Sequence, residues 1–180
     1  MILPLRVARA YLKNAHDFSC VQVELPENIA EEIREWEHKN ISEDILTGNG
    51  FEEDKHVTIK YGIHIVDFTE VRDLFKNEKP IKMKLGKITL FTSNNAFDVI
   101  KIDVISPDLH RLNKSLSKNF EVTDTHPVYY PHCTIAYVKK GAGESFDGNN
   151  TFEGEEIISD TILFSGRDNR STIFKLFHER

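Results

Sequence analysis

Cysteine is scarce. Only Cys20 and Cys133 occur in 180 residues, too few for a disulfide framework and at no metal-binding spacing. The two read as free thiols of a reducing, cytoplasmic compartment. No apolar run approaches the roughly 18–20 residues of a membrane span, so no membrane partner is expected. Residues 1–12 lack the basic-then-apolar order of a signal peptide. A glycine-rich phosphate loop and a dinucleotide-binding fingerprint are both missing. Positive charge is in deficit: 23 Lys and Arg against 29 Asp and Glu give a net charge of −6 and a pI near 5.8. That argues against a partner role built on tracking the phosphates of a long duplex, which needs many basic side chains. A small anionic ligand held by a few local donors stays compatible.

What is present is an ordinary globular composition, 39% apolar and 29% charged. The length suits a single domain, residues 1–180, with residues 1–17 as a short helix or loose arm. One pattern occurs twice. Residues 56–61 read His56-Val57-Thr58-Ile59-Lys60-Tyr61, and residues 132–137 read His132-Cys133-Thr134-Ile135-Ala136-Tyr137. Both are H-x-T-I-x-Y. Internal self-similarity of this kind marks a repeat.

Each copy alternates like a β-strand, in which residues i and i+2 share a face. His56 and Thr58 therefore share one face, as do His132 and Thr134. Strict alternation turns Val57, Ile59 and Tyr61, with Cys133, Ile135 and Tyr137, toward a core. It also places Lys60 and His64 on the His56 side. His is the side chain whose unperturbed pKa lies nearest neutrality, so a pair can supply one base and one acid. Thr hydroxyls are neutral donors that could hold phosphate oxygens between the imidazoles. Neither motif carries the carboxylate or thiolate neighbours of a zinc site, so no metal and no cofactor is expected.

Outside the motifs, residues 18–25 alternate as a strand with Gln22 on its polar side. Pro26 opens a helix ending near Asn40, with a stripe of Ile29, Ile33 and Trp36. Residues 42–55 read as a polar loop delivering the first motif strand, 55–63. A helix follows at Asp67–Lys76. Residues 81–92 and 96–105 form a hairpin across Ser93-Asn94-Asn95. Pro107 starts a third helix with a Leu109, Leu112, Leu116 stripe. The second motif strand spans 132–139, and residues 144–152 are a polar loop. Phe152–Phe164 and Ser171–Phe177 read as two final strands. The order predicts an α+β fold.

The paired H-x-T motifs, with the flanks Gly50-Phe51-Glu52-Glu53-Asp54-Lys55 and Tyr130-Pro131, resemble the 2H phosphoesterase superfamily of 2′-5′ RNA ligase-like proteins. Within it, the chain is most similar to phage anti-CBASS phosphodiesterases, which degrade cyclic oligonucleotide immune signals. The resemblance spans roughly residues 18–177. It implies a bilobal fold: two mostly antiparallel sheets face each other across a central cleft, with helices outside. It further implies metal-independent phosphodiester cleavage of a small cyclic or linear oligonucleotide, in the host cytoplasm if the chain is phage-encoded. His56, Thr58, His132 and Thr134 would be catalytic. Lys60, Tyr130 and Gln22 are candidate substrate contacts, through charge, base stacking and base-edge reading respectively. RNA-end processing of 2′,3′-cyclic phosphates, or a non-catalytic nucleotide sponge, are alternative functions. His16, His38, His64, His110, His126 and His178 read as surface or strand-end residues, and Glu155 and Glu156 as a solvated face. Oligomeric state stays open.

Overall fold

The structure, a computed structural model, describes residues 17–124, 128–168 and 170–176. The expected N-terminal arm therefore lies almost wholly outside the described residues, as do His16, His126, Pro127, Phe177 and His178. Strand β1 is Ser19–Glu24, followed by helix α1, Glu27–Asn40. Next come β2 (Leu46–Phe51), the first motif strand β3 (His56–Ile63) and α2 (Phe68–Phe75). The hairpin β4 (Ile81–Phe91) and β5 (Phe97–Ile105) precedes α3 (Pro107–Asn119). The second motif strand β6 (His132–Lys139), then β7 (Glu156–Ser159), β8 (Thr161–Ser165) and β9 (Ser171–Lys175), complete the chain.

Strand pairing runs β7-β4-β5-β6-β3-β1-β8-β9, with β2 added on β6, and all pairs are antiparallel. The path divides into two four-stranded lobes, joined where β3 meets β6 through one registered pair, Val57 with Cys133. This is the expected α+β, bilobal arrangement. The junction is short because β2 occupies the rest of that edge of β6, pairing at Leu46–Val138 and Phe51–Ala136. The apolar face of the sheet forms the core with the helices. Leu109, Leu112 and Leu116 of α3 are fully buried, as is Ile33 of α1. Ser106 caps α3, its hydroxyl accepting from the Leu109 amide at 3.2 Å.

Three expectations change. Residues 42–55 contain β2, whose Gly48, Asn49 and Gly50 have the composition of a loop; it is a strand because β6 offers it a free edge. The single strand expected over Phe152–Phe164 is two strands. Ile157 and Ser159 face inward in β7, whereas Ile162 and Phe164 do so in β8, so the alternation slips by one at Asp160. The two pair at different places, β7 with β4 and β8 with β1. Finally, strict alternation fails within both motif strands, because each carries a bulge.

Candidate active site

The two motif strands are built alike. Along β3, Gln22 of β1 faces Thr58 and Val21 faces Lys60, so Ile59 has no partner and forms a β-bulge. Along β6, Lys101 of β5 faces Thr134 and Ile100 faces Ala136, so Ile135 bulges at the matching position. A bulge leaves backbone groups unpaired, and buried ones need partners. The Ile59 carbonyl accepts from Asn113 Nδ2 of α3 at 2.7 Å, and the Thr58 carbonyl from the Tyr129 hydroxyl at 2.8 Å. The Ile135 carbonyl accepts from the Glu52 amide at 2.8 Å.

Residues directly opposite in an antiparallel pair project to the same face. Extending the Val57–Cys133 register one step each way sets His56 across from Thr134 and Thr58 across from His132. The four side chains thus meet at the lobe junction on one half-buried face. The bulges return Tyr61, opposite Cys20, and Tyr137, opposite Val99, to this face rather than to the core. They turn Lys60 away from it. Lys60 is partnered with Val21, buried, and ion-paired with Asp124, which ties it to the segment before β6.

Both imidazoles are held the same way. His56 Nδ1 lies 2.7 Å from the Asp54 carbonyl, and His132 Nδ1 lies 2.7 Å from the Tyr130 carbonyl. A carbonyl only accepts, so each Nδ1 carries the hydrogen, and each Nε2 is the nitrogen that exchanges a proton. Around Nε2 the two differ. That of His56 lies 3.0 Å from the Gln22 side-chain amide nitrogen. His132 packs edge-on against Phe91, ring centroids 4.8 Å apart. Beside it Lys101, buried, bonds Asp103 and donates to Thr89 Oγ1 at 2.6 Å, with its ammonium 4.4 Å from the centre of the Phe91 ring. Burial holds the pKa of His132 below the ordinary imidazole value. The bond to the Tyr130 carbonyl and Asp103 oppose this, and the Lys101 ammonium and His56 reinforce it.

Among the other expected contacts, Gln22 is therefore at the site. Tyr130 is 64% exposed, and its carbonyl, rather than its ring, is what holds His132. His64 is bonded to Thr123 and stacked on Phe18, His38 lies against Phe51, and His110 against Tyr129. The sequence reading missed Lys101, Asp103, Phe91 and Cys20. Cys20 is on the site face, hydrogen-bonded with Thr58 and Gln22, and burial pushes its thiol up to about 12. Lys101 could have been found: it occupies on β5 the place that Gln22 holds on β1, each opposite a motif threonine. Among the described residues, no three His, Cys, Asp or Glu side chains cluster as a metal site would require, and no helix is long and apolar enough to cross a membrane.

No protein-family model and no curated protein matches the chain. Solved structures do match in fold. TT0787 of Thermus thermophilus superposes with a TM-score of 0.59 at 15% identity, covering 89% of this chain and 95% of its own. E. coli LigT in complex with 3′-AMP gives 0.60 at 15% identity, with the same two coverages. A structure described as a phosphoesterase gives 0.56 at 13% identity, again covering 89% and 95%. The chain thus has the LigT-type fold over nearly all of its length.

Proposed function

We propose that the chain is a metal-independent phosphodiesterase of the 2H type acting on small nucleotides, with His56 and His132 as the acid–base pair and Thr58 and Thr134 as the phosphate clamp. The observation that carries this reading is the matched pair of imidazoles, each with Nδ1–H bonded to the carbonyl two residues earlier and Nε2 turned to proton transfer. A fold shared with a phosphoesterase and with a 3′-AMP complex of LigT supports the same class of substrate.

The asymmetry around the rings suggests the order of events. His132, buried beside the Lys101 ammonium, favours its neutral form and takes the proton from the attacking water. The water oxygen bonds to phosphorus as the bond to the leaving oxygen breaks. His56, entering as the imidazolium, delivers its Nε2 proton to that oxygen, and the Gln22 amide N–H then donates to the neutral Nε2 left behind. The threonine hydroxyls donate to the non-bridging oxygens, on which charge accumulates. Lys101, across from Thr134, adds positive charge on that side.

The preferred substrate is a cyclic di- or trinucleotide signal, as in the anti-CBASS enzymes that the motifs resemble. The 3′-AMP complex of LigT favours a second reading, opening of 2′,3′-cyclic phosphates at RNA ends. A panel of cyclic di- and trinucleotides and 2′,3′-cyclic nucleotides, assayed with chelator and with products resolved, separates them. Linear oligonucleotides support the first and opened ribose phosphates the second. Binding without any product would make the protein a sponge.

A further inference from the structure

At Glu24, the strand partner of His56, lies an open cavity of about 470 Å³, within the range of small-molecule sites. Its walls include Ile158 of β7 and Ile173 of β9, which stand at opposite ends of the strand path. They line one cavity because the sheet curls until its ends approach. The Ser159 hydroxyl donates to the Glu24 carbonyl at 2.6 Å, and the Leu176 amide to the Asp160 carbonyl at 2.8 Å, holding the ends together.

Register places both isoleucines on the catalytic face. Gln22 faces Leu163, and Leu163 faces Ile173. On the other lobe, Ile158 faces Lys82, and Lys84 faces Ile105, which alternates with Lys101 along β5. Both isoleucines stay wet, 60% and 50% exposed, although they face a cavity. Glu24, the strand partner of His56, lines the same cavity. Its half-buried carboxylate has no hydrogen-bond partner among the described residues. The neighbouring cation, Lys175, is engaged by Asp160 at 2.7 Å and by Thr161 Oγ1.

Two exposed apolar walls and an acceptor lacking a donor match a flat heterocycle whose edge offers N–H groups. We propose that this cavity is a nucleobase subsite in which Ile158 and Ile173 cover the ring and Glu24 accepts from its amino edge, selecting guanine, adenine or cytosine over uracil. The inference rests on the nucleotide reading above and names the part of the substrate beside the scissile phosphate. Uracil turns carbonyl oxygens toward the carboxylate on either side of its one N–H, so it is disfavoured.

The test uses the full chain. Binding of 3′-AMP, 3′-GMP, 3′-CMP and 3′-UMP is measured by calorimetry, and turnover of the four 2′,3′-cyclic nucleotides is measured alongside. The expected result is roughly 10-fold or greater preference for the amino-bearing bases, narrowed to within about 3-fold by Glu24→Gln. Ile173→Glu, at a half-exposed position and with its melting temperature checked against wild type, should weaken all four by about 10-fold or more. Equal binding of the four by the wild type, or an unchanged preference in a folded Glu24→Gln, overturns the subsite. Discrimination in binding without turnover of any substrate keeps the subsite and removes the phosphodiesterase. Turnover with the wild-type preference retained in Glu24→Gln does the reverse.

Discussion

A single hydrogen on each Nδ1, bonded to a carbonyl two residues earlier, leaves each Nε2 as the nitrogen the proposed acid–base chemistry would use. His56→Ala and His132→Ala should each lower kcat by about 10²–10⁴, the scale of losing a general acid or base. Melting temperatures should stay near wild type, since both rings stand on the cleft face. Near-normal turnover in either variant would remove the two-histidine mechanism. The threonines are tested by shape-preserving change. Thr58→Val and Thr134→Val keep β-branching and lose the donor, so kcat/KM should fall by roughly 10–10³, mostly in kcat. Thr→Ser should keep most activity. Valine variants with wild-type kcat would mean that the hydroxyls only support strand pairing.

His132 also carries a pH prediction. A base works only when neutral, and its pKa is held below the usual 6.5 by burial, with help from Lys101. The acid limb of kcat/KM should therefore lie below pH 6.5. Lys101→Met removes a neighbouring cation, which makes the imidazolium easier to form, so the limb should move to higher pH. A profile that only drops in height, with its limb unmoved, would leave Lys101 a purely structural or phosphate-binding role. The four motif residues were legible from the sequence because i and i+2 on a strand share a face whatever surrounds them. The assignment of Lys60 failed because a bulge is decided by the neighbouring strand. Val21 and Gln22 skip Ile59, so Lys60 and Tyr61 change sides; a second skip at Gly62 returns Ile63 to the core.

At the scale of elements, the approach to His56 is held by a buried ion pair. Lys55 Nζ bonds Glu37 Oε2 of α1 at 2.6 Å and also the Glu52 carbonyl, and neither side chain is more than 1% exposed. Burial pushes the Glu37 carboxyl up to about 7 against the pull of Lys55. Removing only one partner leaves the buried carboxyl with no counter-charge, so Lys55→Met should destabilise by about 3–5 kcal/mol at pH values well above 7. Without the lysine, the neutral carboxyl is favoured still more in the folded state than in the unfolded chain. The deficit should therefore be smallest below about pH 7 and grow as pH rises above it, where the wild-type carboxyl ionises beside Lys55 and that of the variant does not. Glu37→Leu combined with Lys55→Met should recover most of it. Denaturant melts at two pH values check both statements; a deficit independent of pH would place the effect in lost packing. The first and third helices were legible from Pro26, Pro107 and their apolar stripes. Glu37 was not: one residue past the apolar stripe, it reads as solvated, and only Lys55 arriving from another segment makes its burial tolerable.

For the whole molecule, the pairing of β7 and β8 with opposite lobes was the part least legible in the sequence. Partner choice depends on which edges are free once the sheet has curled. One bulk prediction follows from the motifs, whose two imidazoles lack further ligands: turnover should survive EDTA. Loss on chelation with recovery by zinc or manganese would overturn it.

The junction at Val57 and Cys133 has a mechanical consequence. One ladder rung is a compliant seam, and the catalytic distance between the imidazoles is set across it. A phosphate gripped by Thr58 from one side and Thr134 from the other adds a rivet between the lobes at the seam itself. Inorganic phosphate alone should therefore slow amide hydrogen exchange at Val57 and Cys133 more than within β1 or β5, whose ladders are already long. On this reading the substrate is itself a stiffening member of the machine that cuts it.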